Sequence, residues 1–269
     1  MRRALPAGLA LALILAHAQA AAAAPRVVAL DQCADQYVLA LSPRQAIAGV
    51  THRADDADSW MRQAARGLPV RRITTESILT ARPAIAVRYW GGDAKLTEAL
   101  ERRGVVVVQI EDATDFAGVK ANVRRVAAAL GAPERGEALV AGMERRLAEA
   151  DGAWKGAPGL YLTPSGFTAG SGTLIDAILT AAGLRNAAAA PGYASVSLEE
   201  TVQRPPRGFI LGFFDRLSAA FERWGIGRHQ ALQRVMKGRT MASLPASTLS
   251  CPGWFAADAS AMLARQAPR

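Results

Sequence analysis

Short apolar runs alternate with stretches of helical period along almost the whole chain. Residues 26–30 predict a strand, 35–42 a helix and 46–51 a second strand. A third strand is expected at 84–89, followed by a helix from Asp93 to about Arg103. The run Val105–Ile110 is apolar at nearly every position, which predicts a parallel strand covered on both faces. A long helical stretch follows, in which Leu139, Val140, Met143 and Leu147 share one face. Pro133 suits the first turn of that helix, where its missing N–H costs nothing.

Glycine and proline then interrupt the pattern at 151–159, and the alternation restarts. Strands are predicted at 159–164, 208–214 and 239–245, with helices at about 173–182, before Met236, and towards Arg265. The fold class is therefore α/β: two Rossmann-like lobes with mainly parallel sheets, joined by a single long helix. The expected boundaries are 25–131 for the first lobe, 132–154 for the linking helix and 155–269 for the second lobe.

The halves rhyme. Residues 73–87 and 196–211 each place a glutamate at a helix start, then apolar positions, a proline and a buried strand. Glu76 and Glu199 take equivalent places. The helix dipole by itself favours a glutamate there.

Residues 1–24 have the pattern of a secretory signal peptide: Met1-Arg2-Arg3, an apolar run from Ala4 to Ala16, and small residues around Ala18 and Ala20. Cleavage is expected after Ala20. The apolar run falls short of the ~20 residues of a membrane span. Export implies an oxidising compartment, where two cysteines can pair.

Composition narrows the function. Of 269 residues, 51% are hydrophobic and 20% charged, enough for a substantial core. Two cysteines and three histidines exclude a cysteine-rich zinc module and leave little for a site holding a free metal ion. The formal charge is +9, but its arginine doublets are scattered among acids, so a solvated surface explains them better than nucleic-acid binding. Thr168–Leu174 resembles a phosphate loop but lacks the Gly-Lys-Ser/Thr ending, so nucleotide hydrolysis is not expected. Cys33 with His52 supplies the residue types of a cysteine-nucleophile hydrolase, yet Cys33 has no activating neighbour in the sequence.

The stretches VVALDQCADQYVLAL, ESILTARPAIAV, LTEALERRGVVVVQI, PERGEALV, TAGSGTLIDAILTAAGLRN, VSLEETV and SCPGWFAADASAML occur in an order that resembles one family. It is that of the periplasmic substrate-binding proteins of iron-complex and vitamin B12 ABC importers, whose lobes are joined by one rigid helix. The resemblance spans about residues 25–265. It departs where a Pro-Asp pair is usual, at Pro83-Ala84 and Pro206-Arg207.

The resemblance implies a periplasmic monomer that binds a metal chelate, a corrinoid such as vitamin B12 or a ferric siderophore. It would deliver this to an inner-membrane ABC permease and its ATPase, with no cofactor and no bond chemistry. Haem or a thiol-bound metal is the alternative cargo. The ligand cleft would lie between the lobes at the C-terminal ends of the strands. The strand ends nominate Gln32, His52, Tyr89, Trp90, Phe167, Phe214, Arg216 and Trp254 as ligand contacts. Glu76 and Glu199 would pair with arginines of the permease. In this fold the end of the chain returns to the lobe junction, so Cys33 and Cys251 can form a disulfide. Two thiols facing the ligand and two unrelated buried cysteines are the alternatives.

Overall fold

A computed structural model describes residues 24–216 and 225–268. The expected signal peptide, apart from Ala24, lies outside the described residues.

The first lobe runs β1 (Val27–Ala29), α1 (Gln32–Leu41), β2 (Ile47–Gly49), α2 (Arg62–Ala65), α3 (Thr75–Thr80), β3 (Ile85–Arg88), α4 (Ala94–Glu101), β4 (Val106–Gln109) and α5 (Phe116–Ala129). Helix α6 (Pro133–Ala150) links it to the second lobe. There follow β5 (Pro158–Leu162), β6 (Phe167–Ala169), α7 (Leu174–Ala181), β7 (Arg185–Asn186), β8 (Tyr193–Ser195) and α8 (Leu198–Gln203). Then come β9 (Phe209–Gly212), α9 (Gln230–Met236), β10 (Thr240–Leu244) and α10 (Ala256–Arg265).

Each lobe has a four-stranded parallel sheet, ordered β2-β1-β3-β4 in the first and β10-β9-β5-β7 in the second. The pleat sends alternate residues to opposite faces. In β1, Val27 and Ala29 pack with α1 and α5, whereas Val28 packs with Ile78 of α3 and Leu96 and Leu100 of α4. In the second lobe Tyr161 and Ile210 face α7 and α10, while Leu162 and Phe209 face Leu232 and Met236 of α9. This two-sided burial is why the strands are short apolar runs.

The expectation that Val105–Ile110 is covered throughout is corrected. Strand β4 is an edge strand, and Val106 is 57% exposed. An edge strand has no neighbour on one side, so an apolar run alone does not report full burial.

Helix starts follow local chemistry. Asp31, Thr74, Asp93, Asp115, Thr173 and Ser197 each accept a hydrogen bond from the backbone N–H three residues on. Such caps are worth about 1 kcal/mol each. In α6, Pro133 occupies the first turn, and Gly136 lets the helix lie against α5: a Cβ there would stand 2.5 Å from the Ala127 Cβ.

The two cores are stitched together by the last segment. Cys251, Trp254, Phe255 and Ala257 belong to the first lobe's core, while Ala256, Ala259 and Leu263 belong to the second's. A disulfide joins Cys33 of α1 to Cys251 across 218 positions, with the two Cα atoms 5.4 Å apart. Nearby, the Tyr37 hydroxyl donates to the Pro252 carbonyl at 2.6 Å. Further along α10, the Trp154 indole N–H donates to the Leu263 carbonyl at 2.9 Å.

Candidate functional site: the cleft between the lobes

In the first lobe the turn Tyr89-Trp90-Gly91 leaves the end of β3 against the start of α1. The carboxylate of Asp31 holds both together. One of its oxygens accepts from Ala34 N at 2.8 Å, and the other accepts from Tyr89 N at 2.6 Å and Gly91 N at 2.8 Å. Gly91 is required by the close approach, since a Cβ there would sit 1.9 Å from the Leu30 carbonyl oxygen. The Gln109 side-chain amide donates to the Tyr89 carbonyl at 2.7 Å and braces the turn from β4.

This scaffold presents two rings. Trp90 is 71% exposed, and its ring meets that of Tyr89 edge-on with centroids 5.2 Å apart. The Tyr89 phenol donates to the carboxylate of Asp112, just past β4. Partial burial, and then that bond, push the Tyr89 phenol up to about 12. The donor therefore keeps its proton near neutral pH and points a fixed oxygen at the cleft.

The second lobe answers with the two-stranded antiparallel sheet β6–β8, whose strands are separated in the chain by α7 and β7. Ala169 pairs with Tyr193 and Phe167 with Ser195, so Phe167 and Tyr193 project from one face of that sheet. They are 48% and 69% exposed. Partial desolvation of its hydroxyl end first, and then the charge of Asp112, raise the Tyr193 phenol. A hollow of about 140 Å³ between the lobes is lined by Tyr89 and Ala113 on one side and by Leu174, Ile175 and Tyr193 on the other, with Cys251 at its floor. A second of about 200 Å³ lies between Tyr89, Trp90, Gln109 and Asp112.

Not every nominated residue reaches this cleft surface. Gln32 is 8% exposed, and its amide donates inward to Asp58 at 2.9 Å and to Ser59 at 3.1 Å, so it fixes the loop after β2. Trp254 is 7% exposed and packs edge-on against Tyr37 beside the disulfide. Its place after Cys251 draws it into the core with the bridge. His52 is exposed on the turn after β2 and lines neither hollow. Phe214 is half-buried against the Leu162–Phe209 cluster. Arg216 closes the short turn after β9, and its side chain lies outside the described residues.

In the first turn of α1 lies Asp35. It is fully buried and accepts from Thr51 N at 2.9 Å and Thr51 Oγ1 at 2.5 Å. Burial pushes its carboxyl up to about 7, against the pull of the Thr51 bonds and with help from the charge of Asp31.

Asp112 and Tyr193 were absent from the nominated contacts. The end of the Val105–Ile110 run points to Asp112 by the same strand-end reasoning that found Tyr89. Tyr193 follows Pro191-Gly192 in a segment of weak periodicity, and only the pairing of β8 with β6 brings it to the cleft.

Glu76 and Glu199 are both exposed in the first turn of their helices, α3 and α8. Glu199 accepts from the Gln203 side chain at 3.0 Å. Among the described residues, no group of three or more histidine, cysteine or acidic side chains could hold a metal ion. No helix among them is long and apolar enough to cross a membrane.

Two parallel-sheet lobes, one linking helix and a cleft at the strand ends define a two-lobed binding protein. The sequence pattern of the periplasmic binding protein family matches residues 27–247, and the chain belongs to that family. No curated protein sequence matches the chain closely enough to count as a relative. Among solved structures it is similar to the apo form of the periplasmic haem-binding protein RhuT from Roseiflexus sp. RS-1. The TM-score is 0.70 at 22% identity over 90% of this chain and 97% of that one. It is also similar to a periplasmic haem-binding protein from Pseudomonas aeruginosa, at TM-score 0.57 and 25% identity over 80% and 77% of the two chains. The vitamin B12-binding protein BtuF of Vibrio cholerae gives 0.61 and 17% over 90% and 96%.

Proposed function

We propose that this protein is exported to the periplasm, captures a metal chelate in the interlobe cleft and hands it to an ABC importer. The observation that carries this is the meeting of Tyr89 from one lobe with Tyr193 from the other across the interlobe hollow, with Trp90 and Asp112 beside Tyr89 and Phe167 on the same strand face as Tyr193. Aromatic faces on both walls suit a flat, largely apolar ligand. A ferric tetrapyrrole of the haem type fits best among metal chelates, because phenol oxygen is an established ligand for haem iron. Asp112, as acceptor of the Tyr89 proton, would make that oxygen a better donor to the metal. The similar proteins described as haem-binding agree with this choice.

Capture is equilibrium binding. The two walls desolvate the chelate, and α6 with the Cys33–Cys251 bridge limits how far they part. Glu76 and Glu199, one on each lobe, would then engage arginines of the two permease subunits.

The test is to titrate the purified mature protein with haemin, cyanocobalamin and a panel of ferric siderophores, following tryptophan fluorescence and the visible spectrum. Haemin should quench Trp90 and give a phenolate–iron charge-transfer band that Tyr89→Phe or Tyr193→Phe abolishes. Quenching by cyanocobalamin or a siderophore alone would move the assignment to that chelate. No response to any of them would overturn the ligand class.

A further inference from the structure

The second lobe carries another pocket, on the far side of the β6–β8 sheet from the cleft. Strand alternation separates the two: Tyr193 lines the cleft hollow, whereas Thr168 and its cross-strand partner Ala194 line this pocket. It holds about 540 Å³, several times the volume of the interlobe hollow. Pro158, Leu160, Val196 and the alanines at 187–190 make an apolar wall.

The rim is basic. Arg185, Arg204 and Arg207 all line the pocket against a single carboxylate, Glu200, which is already paired with Arg204 at 3.0 Å. Arg185 and Arg207 make no side-chain hydrogen bond or ion pair among the described residues. The positions come from three separate elements: Arg185 from edge strand β7, Arg204 from the end of α8, and Arg207 from the turn into β9. Thr168 stands in the wall with a buried hydroxyl that has no partner among the described residues.

Guanidinium groups lining the rim of an apolar hollow are the chemistry that recognises an oxyanion on a small hydrophobic body. We infer that this pocket is a binding site for a small organic oxyanion, a carboxylate or a phosphate ester, distinct from the chelate cleft. The apolar wall takes the body, and Arg185 and Arg207 clamp the anionic end. The site owes nothing to Trp90 or Tyr89, so its occupancy can be read apart from capture of the chelate.

The experiment uses the full mature protein and three probes of similar shape: benzoate, phenyl phosphate and benzyl alcohol. Calorimetry in low salt should show saturable binding of at least one anion and none of the neutral alcohol. Whichever of benzoate and phenyl phosphate binds more tightly identifies the oxyanion. The exposed pair Arg185→Gln and Arg207→Gln should weaken that binding about tenfold or more, while haemin quenching of Trp90 stays as in the wild type. Equal binding of the alcohol, or anion binding unchanged in the double variant, overturns the proposal. So does the absence of anion binding; if uptake were then also lost in the double variant, the arginines would be a protein-contact surface.

Discussion

The carboxylate of Asp31 accepts the backbone N–H of Tyr89 at 2.6 Å, although the two residues lie 58 positions apart. The same group caps α1 through Ala34 and reaches Gly91. One side chain thus couples helix α1 to the turn that displays Tyr89 and Trp90. Asp31→Ala should release that turn and remove a helix cap. We expect a stability loss of about 1–3 kcal/mol and ligand affinity weakened about tenfold. Thermal melts and fluorescence titration check both. Unchanged affinity would mean the turn holds its shape without Asp31. Gly91→Ala should have a similar effect on affinity, because its Cβ would collide with Leu30.

Asp35 predicts a pH dependence. Its carboxyl is raised from 3.8 to about 7 in the fold, chiefly by burial. The folded state therefore binds a proton that the unfolded state has released. The stability this contributes is complete below about pH 4 and is lost as pH rises through about 7. Asn keeps the shape and can still meet both Thr51 groups. Melting temperatures of wild type and Asp35→Asn should diverge in favour of the variant between pH 4 and 8. Parallel curves would show that Asp35 does not titrate in this window.

The Cys33–Cys251 bridge closes a loop of 218 positions. In the chain-entropy account such a loop is worth up to about 5 kcal/mol. Replacing both cysteines with serine should lower the melting temperature markedly and leave Trp90 and Tyr89 in place. Non-reduced tryptic mapping should yield the linked peptide. Full alkylation without reductant would contradict the bridge.

Glu76 and Glu199 stand on separate lobes, exposed, each in the first turn of a short helix. Replacing both with alanine should leave chelate affinity within about twofold, since neither lines the cleft hollows. Uptake in cells should be abolished. Normal uptake by the double variant would remove the docking role.

The architecture was legible in the chain because its signals are local. Runs such as 26–30 and 84–89 are apolar since both faces of a parallel sheet are covered, and Pro133 and the Asp, Ser and Thr caps act within one helical turn. The equivalent placing of Glu76 and Glu199 was visible for the same reason. Strand-end reasoning pointed to Tyr89 and Trp90, since a turn leaving the C-terminal end of a parallel sheet exposes what it carries. Tertiary packing alone decided the rest. It made β4 an edge and exposed Val106, turned Gln32 inward onto Asp58 and Ser59, and drew Trp254 into the core beside the disulfide. It brought Asp112 to the Tyr89 phenol and Tyr193 across from the other lobe through the β6–β8 strand pair, whose paired residues Ala169 and Tyr193 are 24 positions apart with little periodic signature between them. Those contacts join residues tens to hundreds of positions apart, and no local spacing encodes which way a side chain turns once two lobes close on each other.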